Sequence, residues 1–361
     1  MMQSLDEKTW AQLSAFGDDA PLCIKTTDSS IDGVRLIDDD EKSVPYVTRS
    51  DSNNGLARFV STKNYEFGSD DGGCITVGLD TQTAFYQPHK FVTGQNIQVV
   101  TGESLNEDVA QFMVPILRQQ MTAKFNWGGN GATLGRMKRL TVMLPVTDSG
   151  EPDYAYMAEY VQQKRNTMLA KYRAYVEARI AELGEVAEIP ALDETEWAHF
   201  KVPQIFGLIQ RGKRLKNADH VFGAVPYVSS TANNNGVDDF IEATTGTRVF
   251  GDCISLANSG SVGTAFYEPF NFVASDHVTA LKTEGLSKYC YLFMTAVIER
   301  QGSNFNFNRE INDARIKNMQ IMLPVTDSGE PDYEYMEQYA KNMMLRKYQQ
   351  YLTFAQQRSD A

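Results

Sequence analysis

Four cysteines, four histidines and three tryptophans in 361 residues leave little material for metal or thiol chemistry. Cys23, Cys74, Cys253 and Cys290 are scattered without a C-x-x-C pair, and His89, His199, His220 and His277 are equally dispersed. Neither a zinc site nor a disulfide framework is expected from them. Long apolar runs are missing too. No window approaches the ~18 uninterrupted apolar residues of a membrane span, and the opening MMQSLDEKTW lacks the basic and apolar regions of a signal peptide. A cytoplasmic protein with no membrane partner is the expectation. Positive charge is also short: 34 Lys and Arg against 46 Asp and Glu give a net charge of −12. That argues against a protein that coats nucleic acid indiscriminately, because phosphate neutralisation supplies most non-specific affinity. It leaves room for DNA binding through local basic patches.

Catalytic signatures are equally scarce. There is no Gly-x-Gly-x-x-Gly or Walker-type loop, and Gly128-Gly129-Asn130-Gly131 lacks the Lys-Ser/Thr ending, so it reads as a flexible loop. The Asn or Asp, Pro, Pro, aromatic signature of adenine methyltransferases is absent. Pro152-Asp153 and Pro331-Asp332 superficially suggest a metal-dependent nuclease, but no Glu-x-Lys follows at suitable spacing. Both dipeptides sit where a helix start favours Pro and Asp. No Ser, His and acid set stands out.

What the sequence does contain is a duplication. Met143 to Tyr154 reads MLPVTDSGEPDY and Met322 to Tyr333 reads the same, the starts lying 322 − 143 = 179 positions apart. Each copy leaves an apolar run, turns through Thr-Asp-Ser-Gly and enters a segment of helical periodicity. Upstream, Pro45-Tyr46-Val47 matches Pro226-Tyr227-Val228, Asn53-Asn54-Gly55 matches Asn234-Asn235-Gly236, and Thr83-Ala84-Phe85-Tyr86 matches Thr264-Ala265-Phe266-Tyr267. These lie at an offset of 181, as from 45 to 226. The Asn-Asn-Gly triplets supply the positive φ of tight turns. Cys74 and Cys253 hold equivalent places, each before Ile, which suits a buried strand.

The expected architecture follows. A helical-looking start carries Trp10 and Phe16, and Asp38-Asp39-Asp40-Glu41 reads as a solvated loop. Short β-rich runs such as Ile75 to Val77 and Ile97 to Val100 make a mixed, mostly β module. Asn106 to Gln120, with Val109, Phe112, Met113, Ile116 and Leu117 on one face, and Ser287 to Arg300 are helices that pack on the sheet. After Pro152 an apolar stripe runs through Met157, Tyr160, Leu169, Tyr172 and Val176, and after Pro331 through Met336, Tyr339, Met343 and Tyr348, close to coiled-coil spacing. Neither stripe is expected to be hidden by its own small module, so the two helices are expected to bury each other. The fold class is α+β: residues 1–150 form module one, 151–185 a long helix, 186–329 module two and 330–357 a second long helix. The basic tract Arg211-Gly212-Lys213-Arg214-Leu215-Lys216 is the best electrostatic footprint in the chain.

With the order module, helix, module, helix, the sequence resembles the specificity subunits of restriction-modification enzymes, of the type I and type IIB-like branch. The resemblance is carried by Trp197 to Phe200 with Gly212-Lys213-Arg214-Leu215, by Gly223 to Val228 (GAVPYV), Asn234-Asn235-Gly236 and Gly263 to Pro269 (GTAFYEP). It continues through the exit Leu323 to Tyr333 and Met336. It implies two target-recognition domains, each reading half of a split double-stranded DNA site, and an antiparallel helical spacer that docks methyltransferase or fused methyltransferase-nuclease subunits. It further implies no cofactor in this chain, with S-adenosylmethionine and Mg2+ in the partner subunits. Module one departs from the pattern, having Cys23-Ile24-Lys25 to Arg35 in place of the basic tract. Candidate DNA contacts are Arg49, Asn53, Lys124, Arg136, Lys138 and Arg139 in module one, and Arg211, Lys213, Arg214, Asn234, Arg309 and Lys317 in module two. Arg and Lys would grip phosphate or guanine edges and Asn could read adenine. Two readings compete: a metal-dependent nuclease using Asp153 and Asp332, and a tandem scaffold that binds protein.

Overall fold

The computed structural model describes residues 3–17, 20–39, 41–125, 131–302, 304–306 and 308–359. The chain divides into two units, Met1–Tyr172 and Arg173–Ala361. The first opens with β1 (Trp10–Ser14), β2 (Cys23–Thr26), β3 (Lys42–Val47) and β4 (Leu56–Ser61). There follow β5 (Cys74–Gly78), β6 (Thr83–Gln87), β7 (Val92–Thr93) and β8 (Ile97–Thr101), then helices α1 (Glu107–Lys124) and α2 (Leu134–Met137). Strand β9 (Thr141–Pro145) leads into the long helix α3 (Tyr154–Leu183), which starts in one unit and ends in the other. Strand orders are β2-β8-β5-β6, β4-β3-β7 and β1-β9.

The second unit repeats the plan with one short helix and one strand added. It contains β10 (Trp197–Lys201), α4 (Val202–Ile205), β11 (Leu208–Arg211), β12 (Phe222–Val228) and β13 (Val237–Ile241). Then come β14 (Val249–Phe250), β15 (Cys253–Ala257), β16 (Ala265–Glu268), β17 (Phe272–Ala274) and β18 (Val278–Lys282). The unit closes with α5 (Lys288–Gly302), α6 (Asp313–Asn318), β19 (Gln320–Pro324) and α7 (Tyr333–Ser359). Its sheets run β11-β18-β15-β16, β13-β12-β17-β14 and β10-β19. The turn from β15 to β16 is longer than that from β5 to β6. The register therefore changes from 179 at Cys74 and Cys253 to 181 at Thr83 and Thr264.

Central strands β5 (CITVG) and β15 (CISLA) are buried along their whole length, the composition of a strand covered on both faces. Cys74 and Cys253 open them at 1% and 0% exposure, and burial pushes both thiols up to about 12, so they are packing residues. Helix α1 covers one face. Its N-cap Asn106 accepts from the Val109 N–H at 3.0 Å, Glu107 and Asp108 complement the dipole, and Val109, Phe112, Met113, Leu117 and Met121 are buried. In the loop after Ile37, Asp38 meets Lys42 at 2.9 Å and Asp39 meets Lys63 at 3.1 Å. Gly128, Gly129 and Asn130 lie outside the described residues.

Two sequence expectations are corrected. The helical-looking start is strand β1, paired antiparallel with β9 so that Trp10 lies opposite Pro145; the partner, 131 or so residues away, overrides local propensity. The long helices are also not independent of their modules over their first turns. Met157 and Met336, expected on the helix–helix stripe, are 0% exposed and belong to the two module cores. Tyr160 meets Phe112 edge-on at 5.6 Å and Tyr339 meets Phe293 at 5.5 Å. Phe112 and Phe293 in turn stack on Trp10 and Trp197, each at 6.2 Å. Each module therefore grips the root of its own helix with the same aromatic set.

Farther out the stripe is different: Met168, Leu169 and Tyr172 are 69%, 48% and 44% exposed. Within the second unit the end of α3 runs antiparallel to α7. Tyr175 meets Tyr348 at 6.4 Å, the Asn342 carboxamide exchanges two hydrogen bonds with the Ala187 backbone at 2.8 and 3.0 Å, and Tyr335 donates to the Pro190 carbonyl at 3.0 Å. Val176 is fully buried there. Among the described residues no helix is long and apolar enough to cross a membrane.

A candidate nucleic-acid interface

In the second unit several strands end together. Arg211 closes β11 beside Thr279, Ala257 closes β15 beside Val278, and Val228 closes β12 beside Val237 and Ala274. The turns 229–236, 258–264 and 275–277 therefore converge at one end of the sheets. Backbone bonds knit them: Ser261 N–H to Ser230 O at 3.0 Å, Asn258 N–H to His277 O at 2.8 Å, and Ser275 N–H to Val228 O at 3.0 Å. The α5–α6 connection joins through the Ile311 N–H on Asn258 O at 2.9 Å.

The basic tract leaves from this end. Gly212 is required there: a Cβ would lie 2.2 Å from the Ser275 carbonyl oxygen and 2.3 Å from that of Ala274. Its close approach, with Gly212 N–H on Val278 O at 2.9 Å and Lys213 N–H on Ala274 O at 3.2 Å, delivers Lys213 and Arg214 to the surface, both exposed. Arg211 is half-buried, its Nε 3.8 Å from Asp313 on α6. The Arg211 carbonyl accepts from the guanidinium of Arg248, a cation that the sequence reading passed over because it stands alone between β13 and β14. Asn234 lies in the exposed turn with φ of 50°, followed by Asn235 at 52° and Gly236 at 77°. Arg309 covers Phe305 at 5.7 Å, and Lys317 is exposed on α6. Arg211, Lys213, Arg214, Asn234 and Arg309 are thus gathered around one set of connected turns.

The first unit builds the same turns with different charges. Val47 closes β3 beside Leu56 and Thr93, and Gly78 closes β5 beside Ile97 and Thr83. The turn 48–55 has the same left-handed run, Asn53 at 50°, Asn54 at 54° and Gly55 at 75°. Arg49 is ion-paired with Asp80, whose carboxylate also accepts from Asn96 at 2.8 Å. Arg118, another residue the sequence reading missed, pairs with Asp51 at 2.6 Å and covers Phe85 at 5.2 Å. Strand β2 ends at Thr26 where β11 ends at Arg211, so Asp28, which pairs with Lys25 at 3.0 Å, stands in the region where the second unit places Lys213 and Arg214. That bond raises the Lys25 ammonium above its ordinary range.

Four expected contacts of the first unit lie on the α1–β9 connection instead of in these turns. Lys124 donates to Thr141 Oγ1 at 3.2 Å, and Lys138 and Arg139 are exposed beyond α2. Arg136 folds its guanidinium back onto the Gly131 carbonyl at 2.8 Å, and Arg315 does the same to Glu310 at 2.6 Å. An arginine that makes one contact in both copies is serving the shared scaffold.

Asp153 and Asp332 have the same explanation. Each caps its long helix, accepting from the N–H of Tyr156 or Tyr335 at 2.9 Å. Among the described residues no group of three or more His, Cys, Asp and Glu side chains is placed to hold a metal.

Comparison with known proteins agrees with this duplicated design. Residues 32–172 and 194–351, well over half of the chain, match the family model of the type I restriction modification DNA specificity domain. The chain is 29% identical over 306 residues to the type II restriction enzyme BgcI specificity subunit S.BcgI of Heyndrickxia coagulans, covering 84% of this chain and 86% of that one. Its fold is similar to the solved type I restriction-modification system S subunit from M. genitalium, with a TM-score of 0.51 at 13% identity over 99% of this chain and 96% of that one. With one specificity domain in each half, this chain belongs to the type I restriction-modification DNA specificity family, and sequence recognition on DNA is its function.

Proposed function

We propose that the chain reads a bipartite double-stranded site, one half with the turns of each unit, and presents that site to methyltransferase and endonuclease subunits that it does not itself replace. The observation that carries this reading is the duplicated turn cluster, built on one backbone plan and furnished with different side chains. Two copies of one scaffold that differ at their exposed ends suit two half-sites of different sequence. The second unit's cluster would bind phosphate through Lys213 and Arg214, with Arg211, Arg248, Arg309 and Asn234 beside them. In the first unit Arg49 and Asn53 occupy the corresponding turn, and Lys138, Arg139 and Lys124 supply peripheral phosphate contacts. The exposed stripe Met168, Leu169 and Tyr172 would meet partner subunits, which would carry S-adenosylmethionine and Mg2+.

The test is co-expression with a neighbouring methyltransferase gene and mapping of methylated adenines across the host genome, with this chain present or deleted. A split motif that appears only with the chain, and loses one half when Arg211, Lys213 and Arg214 are replaced by Ala, supports the reading and assigns that half to the second unit. Methylation indifferent to deletion overturns it.

A further inference from the structure

Gln87 and Glu268 hold the same place in the two units. Each closes the strand containing the repeated Ala-Phe-Tyr, opposite the cysteine that opens the preceding, paired strand, Cys74 or Cys253. Both side chains are buried, at 7% and 0% exposure. The Gln87 carboxamide donates twice, to the Asn54 carbonyl at 3.0 Å and to Thr76 Oγ1 at 3.0 Å. It thereby ties the Asn53–Gly55 turn to the central sheet.

The turn in the second unit has the same backbone. Asn235 and Asn54 share φ values of 52° and 54°, and the N–H groups of Gly236 and Gly55 each bond the carbonyl three residues back at 2.9 Å. Ser255, on the strand facing Glu268, donates to Glu268 Oε1 at 2.9 Å. Oε2 is buried and has no hydrogen-bond partner among the described residues. A carboxylate has no proton to offer a carbonyl; a neutral carboxylic acid has one. An unbonded buried carboxylate oxygen would carry a full desolvation cost.

We propose that Glu268 is a positioning residue: a neutral carboxylic acid whose Oε2–H donates to the Asn235 carbonyl, holding the Asn234–Gly236 turn as the Gln87 amide holds its counterpart. Burial raises this carboxyl to about 7, against a partial lowering by the Ser255 bond. The titratable groups around it do not compete for the role. On β15, Cys253 stays a thiol; before it, Asp252 accepts from the Tyr267 hydroxyl at 2.8 Å. On β18 the Lys282 ammonium is bonded to Gly251 O at 2.8 Å. On α5, Glu299 accepts from the Ala265 N–H at 3.3 Å, and the turn 229–236 itself holds no acid or base. Loss of the Glu268 proton therefore removes the turn's tie and leaves an anion in its place, so the turn loosens as pH rises through neutrality. The first unit, anchored by an amide, has no such dependence. Only the consequence for DNA rests on the function proposed above.

Hydrogen exchange on the complete chain separates the two. Protection of residues 229–236, corrected for the intrinsic rate, is followed from below to above pH 7 in wild type, Glu268→Gln and Gln87→Glu. Expected are a fall of up to about ten-fold per pH unit in wild type between the carboxyl's ordinary value of 4.5 and its folded value of about 7, levelling off above it, constant protection in Glu268→Gln, and transfer of the fall to residues 48–55 in Gln87→Glu. Wild-type protection that is flat across the range, or that falls equally in Glu268→Gln, overturns the proposal. Binding of duplex DNA carrying the mapped motif is measured on the same samples. The expected exchange pattern without motif-dependent binding at any pH would leave the role of Glu268 standing and remove the DNA reading.

Discussion

Asp153 Oδ1 accepts a hydrogen bond from the Tyr156 N–H at 2.9 Å while its other oxygen meets Lys8 Nζ at 2.7 Å, so this carboxylate ties the N-terminal segment to the root of α3. Asp153→Ala should cost about 1–2 kcal/mol of stability, the usual range for a helix cap. DNA modification by the assembled enzyme should persist, whereas a nuclease that used Asp153 for metal would lose cleavage outright. Urea unfolding and a modification assay on the same variant decide between the two.

The same carboxyl predicts acid sensitivity. Burial would raise it, but the Lys8 and Tyr156 bonds prevail and its pKa lies below the ordinary value of 3.8. A depressed acid contributes stability that is present above its unfolded pKa and is lost as pH falls through the folded one. Asp153→Asn should therefore narrow its deficit against wild type as the medium is made more acidic than 3.8, measured by thermal unfolding.

Glu268 has the opposite sign. Its folded pKa of about 7 exceeds the ordinary 4.5, so its contribution is complete below 4.5 and is lost as pH rises through 7. Glu268→Gln should be more stable than wild type by about 3 kcal/mol in alkaline solution, and should lose that advantage below pH 4.5. Denaturant midpoints at the two extremes check it.

Lys213 and Arg214 stand exposed beyond a glycine that no other residue could replace. Replacing either with Ala should weaken DNA binding and reduce the slope of log affinity against log salt by about 1. In the first unit the reverse change is informative: Asp80→Ala frees Arg49 from its ion pair, and the slope should rise. Equilibrium binding at several salt concentrations reads both.

Deletion of one heptad within Lys164 to Glu177 shortens α3 by about 10 Å and should change the gap between the half-sites or destroy assembly. Modification of the same bipartite motif with an unchanged gap, at wild-type level, would show that the helix does not set the spacing.

The duplication was legible because its anchors are residues with narrow backbone or packing demands. Asn53-Asn54-Gly55 and its copy need left-handed φ, and Pro152 and Pro331 sit at the entries to α3 and α7. Helix α1 could be read from its spacing of buried residues. Strand β1 could not, since Trp10 to Ser14 owes its conformation to β9 across the module. The turn cluster was partly hidden for the same reason: Arg248 meets Arg211, and Arg118 meets Asp51, only after sheets form. The stripe of the long helices misled in one respect, because Met157 and Met336 have the same periodicity as the outer positions but face the modules' own cores.

The repeated dodecamer makes the same joint twice. Thr147 N–H bonds Glu151 O at 2.9 Å and Thr326 N–H bonds Glu330 O at 2.9 Å; the Asp153 and Asp332 N–H groups bond the carbonyls of Pro145 and Pro324 at 2.9 and 2.8 Å. A coupling that is identical on both sides is a standard fitting. A module ending in Pro145–Val146 and one ending in Pro324–Val325 meet their helices through the same bonds, so either module fits either helix without redesign of the joint.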